Sequence, residues 1–327
     1  MRNRLLWILL GLLVIGIGLH YGLHISMSRE NIHISAKAEP LACLGGQLEG
    51  ESCSPGTILP ITNALVMTLL VDLVLVLVII FGARNMQLVP RGFQNIVEAV
   101  VEGFYNFARG IDRQNIAKFF PLPATIFIFF LVANMLALVP GVGSIGICEP
   151  AVGEAAQTAA DTSVFRGLPG YCGPGNVVVP WLRAPAADLN VTFAFALVAV
   201  FTVELFGVQA LGLSYFSRFF NLKEGALGLF VSIIELISEI SRIVSFAFRI
   251  FGNIFGGEVI LIVMSFLLAY VLPLPFYGFE LFVAFIQSVI FAVLTLVFMS
   301  NAVVAHGGHE DHGPAAAAHS EAHASPV

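Results

Sequence analysis

A series of apolar runs of membrane-spanning length limits this chain more than any other feature. About 20 apolar residues cross the ~30 Å hydrocarbon core as a helix. Ile58–Phe81, Leu122–Val139, Leu189–Leu213, Ala226–Val271 and Phe276–Val304 are runs of this kind. A shorter one, Leu5–Leu19, follows Arg2 and Arg4. Lipid offers no hydrogen bonds to a bare backbone, so the runs predict helices. Composition agrees: apolar residues make up 58% of the chain and charged ones only 11%, where a soluble domain carries about 25% charge. The net charge of −6 and a pI near 5.7 leave no basic surface for nucleic acid. The apolar region holds no phosphate-binding glycine loop, no nucleophile elbow and no Cys/His cluster, so no catalytic centre, cofactor or metal is expected. The absence of an internal repeat argues against repeat-built transporter folds.

The expected fold is an all-α polytopic membrane protein. Five transmembrane or membrane-embedded helices follow an amino-terminal signal or anchor helix, and a long tilted helical hairpin closes the chain. Three regions follow: an amino-terminal run and outer segment at 1–57, a membrane channel domain at 58–304, and a His/Ala-rich tail at 305–327. The tail carries His306, His309, His312, His319 and His323 among Ala and Gly, which predicts disorder rather than a metal site. The first run reads either as a signal peptide, with Ala36-Lys37-Ala38 as a poor cleavage match, or as a short anchor.

If the amino terminus is inside and every run crosses once, inside segments collect nine Lys and Arg and outside segments four. That bias favours this orientation, with a cytoplasmic carboxyl terminus. Cys43, Cys53, Cys148 and Cys172 then all face the oxidising side. Local pairs Cys43–Cys53 and Cys148–Cys172 are the simplest of three connectivities, and four unpaired thiols are the other reading.

Ionisable groups within the apolar runs point to function, because a charge at mid-membrane costs roughly 2.5–3.5 kcal/mol or more. They are Asp72, Glu204, Glu235, Glu239, Arg242, Arg249, Glu258 and Glu280. On a helix advancing about 100° per residue, with Arg249 at zero, Arg242 falls near +20°, Glu235 and Asn253 near +40°, and Glu239 near +80°. Ser238 and Ser245 flank the stripe on its other side, and Glu258 stands alone at about 180°. Such a stripe faces protein or water. As one helix, Ala226–Val271 would measure about 69 Å, roughly twice the bilayer core, so it must tilt, bend or break. Gly252, Gly256 and Gly257 offer a bend or a close backbone approach. Pro273 and Pro275 predict a short turn into the last run, where Glu280 and Gln287 share a face and Asn301 lies further on. The two runs should pack as an antiparallel hairpin with Glu258 and Glu280 towards the outer end.

Each group also has a structural reading. Glu235, Glu239 and Arg242 suit an ion-pair ladder, and Asp72 and Glu204 suit helix-packing contacts. Arg249 differs, since its nearest acid on the same face, Glu235, is about four turns away. A guanidinium that stays charged at any ordinary pH requires a partner from elsewhere. Two further readings use the same charges. A stand-alone ion-coupled transporter would carry substrate without other subunits. A voltage sensor would need a denser arginine ladder than Arg242 and Arg249 provide.

The segment SFAFRIFGNIFGGEVI (245–260) resembles the signature helix of the F-type ATP synthase subunit a family. FPLPATIFIFFLVANMLALVPG (120–141), ADLNVTFAFAL (187–197) and FIQSVIFAVLTLVFMS (285–300) are similar to other helices of that family, in the same order. The resemblance covers most of 58–304. It implies a non-catalytic stator subunit with two offset half-channels, in which Arg249 matches the essential arginine held against the carboxylates of a rotor c-ring. It further implies peripheral-stalk b subunits as partners and a multi-pass place in a bacterial inner membrane, and two acids in the outer path favour protons over sodium ions as the cargo. Asn253, Glu258, Glu280 and Gln287 match positions lining the outer half-channel or surrounding the arginine. Glu235 and Arg242 match positions nearer the inner one. The amphipathic piece 93–110 is expected at the inner surface. The insertion at 141–188 and the Cys-bearing amino-terminal segment exceed the minimal family pattern.

Overall fold

The computed structural model describes residues 37–45, 48–49, 52–54, 59–83, 92–139, 142–150, 176–212, 215, 225–267 and 273–303. The first run, Cys172 with its expected bond to Cys148, and the His-rich tail lie outside these residues. Seven helices are described: α1 (Asn63–Ala83), α2 (Phe93–Ile111), α3 (Ile116–Phe119), α4 (Pro121–Ala137), α5 (Leu189–Leu211), α6 (Gly225–Leu267) and α7 (Pro273–Val303). Four of them, α1, α5, α6 and α7, are long and apolar enough to cross a membrane, while α4 is a shorter apolar helix of 17 residues. Apolar side chains crowd the outside of the bundle, among them Phe201 at 70% exposure and Phe81 at 66%. Water would not tolerate that surface, and lipid would. The chain is a multi-pass helical membrane protein.

Short strands add to the expected all-helical architecture. β1 (Pro40–Leu44) pairs antiparallel with β4 (Leu59–Thr62), β2 (Leu48–Glu49) with β3 (Ser52–Cys53), and β5 (Gly146–Pro150) with β6 (Asn176–Pro180). β4 takes the first residues of the apolar run expected from Ile58, so the helix there starts only at Asn63, and the other strands lie in the connections between the long runs. Cys43 and Cys53 are joined by a disulfide. The fully buried Asn63 gathers this end of the molecule. Its Oδ1 accepts from the Glu39 and Ala64 amides, and its Nδ2 donates to the Pro180 carbonyl at 3.3 Å.

Local chemistry sets the helix ends. Thr62 Oγ1 accepts from the Leu65 amide and caps α1. Asp188 does the same for α5 through the Asn190 amide, and Gly212, at φ 62, lets that helix stop. Asp112 caps the turn into α3, accepting from the Gln114 and Asn115 amides at 3.0 Å. Pro273 and Pro275 lie inside the first turn of α7 rather than in the connection before it. A helix's first amides lack intrahelical partners, so proline loses nothing there.

The core joins α4, α5, α6 and α7. Phe129 stacks on Phe195 at 4.6 Å, Phe130 meets Phe291 at 5.6 Å, and Phe246 meets Phe291 at 4.9 Å. Each such pair is worth about 0.5–1.5 kcal/mol. Ala133, Ala196, Ala199, Ala247 and Ala284 are fully buried between them and let the backbones approach, which drives helix association where lipid removes the hydrophobic effect. A 3₁₀ turn, Pro185–Ala187, buries itself completely in the same cluster against α1, α4, α5 and α6.

Candidate functional site

Helix α6 runs unbroken for 43 residues, so of the three ways to fit a membrane a break is excluded. It pairs antiparallel with α7: Arg242 lies over the Phe298 ring, Phe246 on Phe291, Asn253 against Gln287, and Gly257 against Glu280. The expected hairpin is present, and its seam carries the buried polar groups.

Arg249 lies near the middle of α6, half-buried. Its Nη2 donates to Ser245 Oγ at 3.2 Å, and its guanidinium is 5.9 Å from the Phe246 ring centre. Among the described residues no carboxylate pairs with it. Ser245, Phe248, Gly252 and Asn253 beside it are exposed, whereas Phe246, Ala247 and Ile250 turn into the core. Arg249 therefore borders an open face. A Cβ added at Gly252 or Gly256 would meet nothing within 4 Å, so these glycines keep the face low instead of admitting another part of this chain.

Towards the hairpin-bearing end, the seam turns polar. Asn253 Nδ2 donates to Gln287 Oε1 at 2.8 Å, and the buried Gln287 Nε2 has no partner among the described residues. One turn further, the buried Glu280 carboxylate rests against the α-carbon of Gly257, where any Cβ would overlap it. Glu258 and Glu280 are near enough for their charges to interact. Glu258 is not alone on its side of α6, because Arg183 Nε stands 3.6 Å from its Oε2. Of the polar groups expected on α7, Glu280 and Gln287 are buried together, while Asn301 is exposed.

The other end of α6 holds an ion pair. Arg242 Nη1 meets Glu239 Oε2 at 2.7 Å while its guanidinium lies 4.2 Å from the centre of the Phe298 ring. This is the structural reading of the ladder, with Glu235 half-buried one turn away. Glu204 on α5 accepts from Tyr215 Oη at 2.8 Å, and Gly207 leaves room for the Tyr215 ring. Asp72 makes no such contact among the described residues and is exposed on α1.

Two groups, one at the site and one at the far end of α7, escaped the sequence reading. Arg183 lies in a connection, where a cation is ordinarily solvated; its signal was a lone charge in the apolar approach to Asp188. Asp112 joins the α2–α3 corner to the end of α7 by accepting from Ser300 Oγ at 2.9 Å, a contact across 188 residues that no spacing reveals.

Arg249 thus stands at mid-helix with no carboxylate partner among the described residues, and the Asn253–Gln287 bridge and then the acids Glu258 and Glu280 follow towards one end of α6. The pattern of the family described as ATP synthase A chain matches residues 64–300. The chain belongs to that family. ATP synthase subunit a of Campylobacter jejuni subsp. doylei is 32% identical over 246 residues, covering 73% of this chain and 89% of the relative. The Helicobacter hepaticus subunit a is 30% identical over 244 residues, 74% of this chain and 90% of the relative. That of Sulfurihydrogenibium sp. is 29% identical over 244 residues, 75% and 98%. The ATP synthase A chain match takes in all of α2 to α5 and α6, and every polar group of the α6–α7 seam.

Proposed function

We propose that this chain is the ion-conducting stator of a rotary F-type ATP synthase in a bacterial inner membrane. Its carboxyl terminus is inside and its strand-bearing end outside. Residues 58–304 form the channel domain, 1–57 an amino-terminal run with an outer segment, and 305–327 a tail. The observation that carries the reading is Arg249: a permanent cation at mid-helix, on an open face, without a carboxylate of its own among the described residues. A rotor c-ring bearing mid-membrane carboxylates would complete that face, and Gly252 and Gly256 would let it approach closely. Peripheral-stalk b subunits would hold the stator still.

Protons are the cargo that suits two acids in the outer path. Glu258 and Glu280 would relay them from outside, with Asn253 and Gln287 orienting the water between the acids and the arginine. Glu235 and Arg242 would border the inner path. Arg249 would draw each deprotonated ring carboxylate through the interface and repel a direct proton leak. The chain itself makes and breaks no phosphoanhydride bond. The test is Arg249→Ala in the complete synthase reconstituted in vesicles. Coupled ATP synthesis should be lost while the subunit remains assembled; synthesis at the normal rate would overturn the reading.

A further inference from the structure

Arg183 is nine-tenths buried at its side chain although it belongs to a connection. Contacts with packed neighbours hold it. Nη1 donates to the Lys37 carbonyl at 2.9 Å, Nε faces Glu258 Oε2 at 3.6 Å, and the guanidinium carbon is 5.9 Å from the Phe255 ring centre. The following residues, Ala184 to Ala187, are buried in the bundle core, so the backbone beneath Arg183 is fixed as well. Charged groups reach Glu258 from two packed elements: Arg183 from the connection before α5, and Glu280 from α7. Lys37 contributes a backbone carbonyl to Arg183, so the segment leading into β1 is part of the arrangement.

We propose that Arg183 is a positioning residue for ion translocation: one arm of its guanidinium is anchored on the Lys37 carbonyl, and the other holds the Glu258 carboxylate at the outer mouth of the path. This rests on the stator reading. Arginine suits the task because its planar fork can serve two acceptors at fixed geometry and never loses its charge, whereas a lysine ammonium offers charge without the fork. The consequence is mechanical as well as electrostatic. Glu258 lies on a helix with exposed apolar neighbours, and without the clamp its side chain would be free to swing. With it, the carboxylate is held beside Glu280 and the Gly257 contact.

The test uses the complete membrane sector, ring included, in vesicles, with passive proton flow measured against the pH on the strand-bearing side. Arg183→Gln should lower the flow about tenfold and displace the pH midpoint of conduction. Arg183→Lys should recover part of the rate, with a midpoint between the two. A uniform loss at every pH with the midpoint unmoved would mean a merely structural role and overturn the proposal, as would wild-type behaviour of both variants. If the glutamine variant fails to assemble, the midpoint of the lysine variant decides. Arg249→Ala is run alongside. If it abolishes coupled synthesis while the Arg183 variants behave as wild type, only the clamp fails; if it synthesises normally, the stator reading fails.

Discussion

Replacing Gly257 by alanine should alter conduction without much altering stability. Alanine in a helix interior is favoured over glycine by about 0.5–1 kcal/mol. Against this, the new Cβ would occupy the place of the Glu280 carboxylate. The obstacle is the far end of a flexible side chain, so the chain adapts by turning Glu280 away from its present rotamer, at about 0.5–1.5 kcal/mol. The two terms nearly cancel, and thermal unfolding of the purified membrane sector should shift little. The displaced group, however, is one of the two proposed relay acids, and a misplacement of about 1 Å can slow a positioned reaction up to a hundredfold. Proton flow in reconstituted vesicles should fall at least tenfold by that measure. Gly103→Ala on α2, where a Cβ meets nothing within 4 Å, is the control and should conduct normally. Undiminished flow through an assembled Gly257→Ala sector would remove the Glu280 carboxylate, as placed here, from the path.

Asp112→Ala should destabilise the sector by about 0.5–2 kcal/mol through the lost cap, and pairing it with Ser300→Ala in a double-mutant cycle should reveal coupling between them. Burial pushes the Asp112 carboxyl up, but the Asn115 amide, the Ser300 hydroxyl, the Asn115 side chain and the Gln114 amide together bring it below its ordinary value. Its contribution is therefore complete above the unfolded pKa of about 3.9 and lost as pH falls through the lower folded value; acid unfolding should become less steep in Asp112→Ala. Cys43→Ser opens a loop with a sequence separation of 10 and should cost about 2–3 kcal/mol, and alkylation before reduction should leave the native pair unlabelled. Tyr215→Phe removes the donor to Glu204, whose other oxygen is buried without a partner among the described residues, and should lower stability by about 1–3 kcal/mol, read by the same thermal unfolding.

The helical hairpin was legible because apolar length and a polar stripe are local properties of the sequence, and one helical angle per residue places Arg242, Arg249 and Asn253 together. The same arithmetic set Glu258 apart, and the structure keeps it there. Its partner was illegible, since the arithmetic stops at the helix and Arg183 arrives from a connection. Gly256 and Gly257 are indistinguishable as letters, yet one faces open space and the other a carboxylate. The difference lies in which side of α6 the next helix covers. Pro273 and Pro275 do follow a short connection, but they sit inside the helix itself, because proline marks both a turn and the first turn of a helix, and only the helix in front of it tells which.

The division of faces on α6 also accounts for an arginine that no acid of its own chain neutralises among the described residues. Glu239 is taken by Arg242 at 2.7 Å, Glu258 by Arg183, and Glu280 is buried against Gly257. From Arg249 to Glu258 the helix climbs about 13.5 Å and turns half round, well beyond the ~3 Å reach of a hydrogen bond. Supplying an internal counter-ion should therefore be more damaging than removing a contact. Asn253→Asp puts a carboxylate four residues from Arg249, within helical pairing distance, with almost no change in volume. It also loses the 2.8 Å donation to Gln287, a loss that Asn253→Ala shares without the charge. Coupled ATP synthesis should fall much further in Asn253→Asp than in Asn253→Ala, and the gap should widen as pH rises and the new acid ionises. Equal activities at alkaline pH would mean that a charge beside Arg249 is harmless, and the arginine would then have no need of being left free for the ring.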